Sequence, residues 1–232
     1  MAIGVKIRNS NLITLIDDRF SNLMLRQKIA GSRPTYSAVN RSYLLSLSIT
    51  CTQDALIAYR CTGGFSGIVN YVTQSGTQRK IEFSSYNDFT VDVFVFDLAP
   101  YAILKGTIAL IIRNRVTGEK VFDSRGRYMK ILGYLTVSAF PNSGNYDVFN
   151  GVDKLPACVP LQPYLYDWAS TFDAGGSPVA ESGGDNMQTL CDGNTIRAKI
   201  EEWRYRTGGG GGLSYDNYSG SKVLMFLDVT GI

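Results

Sequence analysis

The amino-acid sequence predicts an all-β protein: a β-sandwich or flattened barrel over residues 1–138, then a second, loop-rich β region over 139–232. Three observations carry this. Short stretches rich in β-branched and aromatic residues recur at about 8–12-residue spacing with turn clusters between them, which indicates a sandwich or barrel. The chain holds 24 Gly, 14 Tyr and 11 Phe, a composition suited to strands and turns. No stretch before residue 140 repeats its apolar residues with a period near 3.6.

Val5 and Ile7, then Leu12, Thr14 and Ile16, flank Asn9-Ser10-Asn11, a polar turn that tolerates positive φ, and so form a hairpin. Leu23 and Leu25 continue as a third strand. Tyr43 to Ile49 predicts a strand with one buried face, and Ala55 to Tyr59 is expected to pair with it across Thr52-Gln53-Asp54. Ile68 to Thr73 and Arg79 to Phe83 form a hairpin over Gln74-Ser75-Gly76-Thr77. Phe89 to Phe96 is apolar enough to be an interior strand. Thr107 to Arg113 and Lys120 to Phe122 flank Val116-Thr117-Gly118-Glu119 as a further hairpin, and Tyr128 to Val137 closes the first region.

From Phe140 to Asn194 the composition shifts. Pro141, Pro156, Pro160, Pro163 and Pro178 punctuate it, Gly175-Gly176 and Gly183-Gly184 loosen it, and no long strand is expected there. Tyr164, Tyr166, Trp168 and Phe172 crowd into this segment, where loop aromatics serve either an interface or packing on the domain itself; an interface is expected. Ile196, Ala198 and Ile200 share a face, and Trp203 and Tyr205 resume after a slip at Glu201-Glu202 that suggests a β-bulge. Gly208, Gly209, Gly210, Gly211 and Gly212 predict a flexible loop tip. Lys222 to Val229 reads as a buried strand, paired with 195–205 like a hairpin around that tract.

Several function classes drop out. The chain has no histidine, which removes Ser-His-Asp and Cys-His catalysis and His-ligated metal sites. The adjacent carboxylates Asp17-Asp18 and Glu201-Glu202 would point to opposite faces of a strand, so neither pair is itself a glycosidase dyad. The glycine tract lacks the Gly-Lys-Ser/Thr end of a phosphate loop. No catalytic residue, metal or cofactor is expected, and the protein is not expected to be an enzyme. Cys51, Cys61, Cys158 and Cys191 lack the spacing of a zinc ribbon or a redox pair; they read as buried thiols, with a Cys158–Cys191 bridge as the alternative. A formal net charge of +3 does not argue for nucleic acid. The cations Arg113, Arg115, Lys120, Arg125, Arg127 and Lys130 cluster, as a solvated edge that blocks aggregation or as a surface for an acidic partner. No apolar run reaches 18 residues, so no membrane span is expected, and the opening lacks the pattern of a secretory signal, which implies synthesis in a cytosol.

One internal similarity stands out. Ile7-Arg8-Asn9 followed by Asp17-Asp18-Arg19 parallels Ile112-Arg113-Asn114 followed by Asp123-Ser124-Arg125. Each is an apolar strand, Arg-Asn, a turn, a second apolar strand and Asp-x-Arg, a hairpin used twice or two hairpins of like composition. The acidic and basic residues are expected to cap strand ends through local ion pairs.

Gly4-Val5-Lys6-Ile7-Arg8-Asn9 with Leu15-Ile16-Asp17-Asp18-Arg19-Phe20-Ser21-Asn22-Leu23 resembles the opening of small virion proteins from the tail-tip and tail-fibre region of tailed bacteriophages. Ile112-Arg113-Asn114 with Val121-Phe122-Asp123-Ser124-Arg125 is similar to the same pattern. The resemblance spans about a quarter of the chain and leaves the segment after residue 140 unmatched. It implies a structural component of a phage tail, at the tip, baseplate or fibre attachment. Such a component would be made in the host cytoplasm and placed in the virion. It would work through interfaces with other tail proteins, as a homo-oligomer. Two other readings of the residues are a carbohydrate- or receptor-binding tip that contacts a host surface glycan, and a glycosidase built from carboxylates alone.

Overall fold

The computed structural model describes residues 6–8, 14–17, 22–38, 42–138, 145–161, 167–173, 178–207 and 222–232. Its strands are β1 (Lys6–Arg8), β2 (Thr14–Asp17), β3 (Met24–Ser32), β4 (Thr35–Ser37), β5 (Ser42–Thr50), β6 (Leu56–Thr62), β7 (Gly67–Ser75), β8 (Gln78–Ser85) and β9 (Thr90–Asp97). After a single 3-10 turn, Ala99–Tyr101, follow β10 (Ile111–Arg113), β11 (Lys120–Asp123), β12 (Ile131–Val137), β13 (Asp147–Asn150), β14 (Pro156–Pro160), β15 (Asp167–Asp173), β16 (Pro178–Asp192), β17 (Thr195–Thr207) and β18 (Lys222–Asp228). The fold is all-β, as its composition and alternation predict. Among the described residues no helix is long and apolar enough to cross a membrane.

A six-stranded sheet in the order β12-β18-β14-β6-β9-β3 forms the centre, and two four-stranded sheets, β4-β5-β8-β7 and β13-β17-β16-β15, carry most of the rest. Strand alternation makes the central sheet apolar on both faces. On β9, Val91, Val93 and Val95 join a cluster with Ile49, Ile81 and Phe83 of the first four-stranded sheet and Cys191, Ile196 and Ile200 of the second. Phe94 and Phe96 point the other way, into a cluster with Leu25, Ala157, Met225 and Leu227. Burial on both faces requires an apolar run, which Val93–Phe96 supplies; toward the start of β9 the Phe94 face turns polar, with the half-buried Thr90 and Asp92.

The pairing of strands differs from the sequence-based expectation in four places. β5 and β6 do not form a hairpin: β5 pairs with β4 and β8, β6 with β9 and β14. The connection at 51–55 carries the chain from one layer to another, which buries the apolar faces of β5 and β6 against each other's sheets. β17 and β18 likewise belong to different sheets. The β16–β17 ladder runs from Ala180↔Thr207 to Asp192↔Thr195 without a slip, so no bulge interrupts Glu201-Glu202. β16 is also 15 residues long, in a segment where no long strand was expected. Pairing on both sides, with β15 and β17, holds its glycines extended. The central sheet takes strands from both sides of residues 138/139, and its inner cluster joins Val93 to Cys158 and Phe226.

All four cysteines are free thiols in the buried core, the first of the two sequence readings. Cys158 Sγ donates to the Tyr59 carbonyl at 3.2 Å. Arg60, also buried, donates to the carbonyls of Pro156 (2.6 Å) and Gly193 (2.9 Å), which ties β6 to the beginning of β14 and to the β16–β17 turn. Its charge stays in the core because those carbonyls satisfy it.

Candidate protein-protein interface

The β10–β11 hairpin is built around one buried carboxylate. Asp123 ends β11 with no solvent exposure. Its Oδ1 accepts from Arg125 Nε at 2.9 Å and its Oδ2 from Arg125 Nη2 at 2.7 Å, a two-pronged contact between residues two apart. Lys120 Nζ adds a third charged donor at 3.2 Å. The Arg125 side chain, above all, holds the Asp123 carboxyl far below the usual carboxylate range, and the pairing raises Arg125 in turn. Tyr128 closes the turn. Its hydroxyl donates to the Asp123 carbonyl at 2.7 Å and accepts from the Asp123 N–H at 2.6 Å, while its ring stacks on Phe122 at 4.8 Å. Burial pushes the Tyr128 phenol up to about 12. The expectation that Asp123 and Arg125 cap a strand end by local pairing is met in detail.

The other end of the hairpin is set by Asn114. Its Oδ1 accepts from the N–H groups of Val116 (2.8 Å) and Thr117 (3.1 Å), and its carbonyl accepts from Gly118 N–H at 2.8 Å. Gly118 sits at φ +74°, which only glycine adopts without strain. Val116 is thereby fixed at the tip.

The segment before β10 is pinned against the Asp123 turn. Leu104 bridges Gly126, Lys105 N–H donates to the Arg125 carbonyl, and Ser124 N–H donates to the Leu110 carbonyl while Ser124 Oγ accepts from Leu110 N–H. With both ends held, the stretch between them stands outward. Ile108 is 91% exposed, Val116 85% and Leu110 57%, with Ile103 and Ile111 also exposed. Scattered exposed apolar residues are ordinary; five within residues 103–116, on a segment held at both ends by hydrogen bonds, are a concentration of the kind found at interaction sites. Lys105 and Arg113 lie within the same stretch, and Arg127 follows on the turn.

The anchors expected from sequence lie elsewhere. Trp168 and Phe172 fall on β15, the edge strand of its sheet, paired with Gly183 and Val179. Tyr164 and Tyr166 lie outside the described residues, as do Gly208, Gly209, Gly210, Gly211 and Gly212. Thr107 to Arg113 is not one strand: β10 spans only Ile111–Arg113, and Ile108 lies before it, outside the hairpin. The signal was present: Ile108-Ala109-Leu110-Ile111-Ile112 does not alternate, and a hairpin with one buried face can cover only part of such a run. Only Ile112 is buried.

No protein-family profile, no curated protein and no solved structure matches this chain.

Proposed function

We propose that this protein is a structural component of a phage tail and acts by burying exposed surface against other tail proteins in a homo-oligomeric assembly. The observation that supports the reading is the apolar set Ile103, Ile108, Leu110, Ile111 and Val116, held outward by the Asp123 network and the Asn114 turn. A surface fixed in advance loses little conformational freedom on binding. Burying the almost fully exposed Ile108 and Val116 would contribute about 1.5–3 kcal/mol each, and the half-covered Ile103, Leu110 and Ile111 about half as much. The resemblance of the two Ile-Arg-Asn hairpins to tail-region virion proteins supplies the class of partner, and the reading assigns no catalytic residue. The aromatic segment with Trp168 and Phe172 is a second contact region under the same proposal.

The test is particle incorporation. Particles from a host that carries the gene are purified on a density gradient, and the chain is measured by mass spectrometry. The wild-type chain is expected at stoichiometric copy number. The double variant Ile108→Asp, Val116→Asp is expected to be absent from particles while its melting temperature stays within about 2 °C of the wild type, since exposed substitutions cost little. Absence of the wild-type chain from intact particles overturns the proposal.

A further inference from the structure

We infer that the chain is one structural unit used twice, with residues 6–97 and 111–228 related by a local twofold axis through the central sheet, so that a single chain occupies the place of a symmetric dimer. The sheet order reads the same from either end once β3, β9 and β6 are matched to β12, β18 and β14. In the flanking sheets, β5-β8-β7 matches β13-β17-β16, with β4 and β15 as additions at the edges.

The registers agree over most of the paired ladders. In the two hairpins, Ile7↔Ile16 and Arg8↔Thr14 correspond to Ile112↔Phe122 and Arg113↔Lys120, with a slip after the same isoleucine. Along the outer ladders, Leu25↔Phe96, Gln27↔Val95 and Lys28↔Phe94 correspond to Ile131↔Leu227, Gly133↔Phe226 and Tyr134↔Met225, again with the slip at the same step. Next to the seam, Leu56↔Phe96, Ile57↔Val95 and Ala58↔Phe94 correspond to Ala157↔Leu227, Cys158↔Phe226 and Val159↔Met225. In the flanking sheets, Leu47↔Ile81 and Ile49↔Arg79 correspond to Asp147↔Ala198 and Phe149↔Ile196. The adjoining turns place Gly76 (φ +48°) where the other half has Gly193 (φ +56°). Two ladders depart from their counterparts: β7–β8 carries two slips of its own, and β3–β9 carries a second slip, between Ile29 and Ser32, that β12–β18 lacks.

These matches also locate the axis. Ala58 corresponds to Val159, and the pairing of Tyr59 with Cys158 sets Ala58 opposite Val159 across the β6–β14 seam. Leu23 corresponds to Met129, and Met129 N–H donates to the Leu23 carbonyl at 3.0 Å, beside the Met24↔Tyr128 bridge. Two antiparallel segments whose equivalent residues face each other are related by a twofold axis through that point. It happens twice here, at independent sites. A slip of one residue turns every side chain to the other face, so shared slips are not a by-product of composition. The β6–β14 seam is then an isologous interface held within one chain.

The repeat fixes a length. Thirteen residues, 98–110, connect β9 to β10. The stretches outside the repeat, 229–232 and 1–5, supply nine, so four added residues would give β18 and β1 the same connection. The test is a circular permutant of the full chain, opened between the exposed Lys105 and Gly106 and joined from Ile232 to Met1 by four Gly/Ser residues. A companion is the linear chain with a protease site at the same opening, cleaved after folding. The permutant is expected to keep the wild-type circular dichroism spectrum and to melt within about 5 °C of it. The cleaved chain is expected to elute as one folded complex of both pieces. A permutant that does not fold while the cleaved chain remains folded overturns the inference. Loss of folding in both overturns it as well, because each unit then depends on the connection and is not a complete repeat.

Discussion

Asp97 ends β9 without solvent exposure and joins three parts of the fold. It accepts from Arg26 Nη1 of β3 at 2.7 Å, from the N–H (2.9 Å) and Oγ1 (2.6 Å) of Thr52 in the crossover between layers, and from Leu98 N–H at 2.8 Å. Arg79 Nη2 of β8 then donates to the Thr52 carbonyl at 2.7 Å, which extends the network into the flanking sheet. Asp97→Ala removes the acceptor common to all four donors. Breaking a buried ion pair on one side costs about 3–5 kcal/mol. Arg26 retains 18% of its side-chain exposure, so water recovers part of that and the lower end, about 3 kcal/mol, is expected. At about 2–4 °C per kcal/mol for a chain of this size, the melting temperature falls by about 6–12 °C. Asp97→Asn keeps an acceptor of the same shape without the charge and should lose about 1–2 kcal/mol.

The pH dependence follows from the same contacts. Burial raises the Asp97 pKa, but donation from Thr52, Arg26 and Leu98 outweighs it and the net direction is down. A carboxylate with a lowered folded pKa contributes its stability in full above the unfolded value, about 4, and loses it as pH falls through the folded value. The gap between wild type and Asp97→Asn is therefore expected to be constant near neutrality and to close below about pH 4. Urea unfolding followed by tryptophan fluorescence, with an unchanged m-value, measures it. If both variants stay within about 0.5 kcal/mol of wild type at pH 7, the network does not join the layers and the reasoning fails.

Two further outcomes are expected. Burial pushes the Cys158 thiol well up and the Cys191 thiol up to about 11, and Cys61 is raised in the same way, so these thiols should react with a disulfide reagent at pH 8 only as fast as the protein unfolds; rapid labelling of the folded chain at any of them would contradict their burial. A methyl group on Gly67 would run into the Met187 carbonyl where β7 approaches β16, so Gly67→Ala should lower stability by about 3 kcal/mol or more, whereas Gly76→Ala, in open space at positive φ, should cost about 1–2 kcal/mol from backbone strain alone; equal losses at the two sites in denaturant titrations would refute the close approach.

Alternation and turn chemistry specify the local elements of this chain. Val91, Val93 and Val95 against Phe94 and Phe96 announce an interior strand, and Gly76 announces a turn, because period and positive φ are properties of a few neighbouring residues. The Asp123–Arg125 pair was legible for the same reason: its partners are two residues apart. Partner choice was not legible. Tyr43–Ile49 and Leu56–Thr62 are adjacent in sequence and alike in pattern, yet a single crossover at Thr52 sends them to different sheets, a decision made by Asp97, Arg26 and Arg79 from far along the chain. The exposed set around Ile108 was hidden because an apolar run does not say which of its residues find cover. The sequence alone determined an all-β chain with two like hairpins. Only the tertiary structure decided which strands meet, because pairing is settled by contacts between distant residues that bury both faces of the central sheet at once.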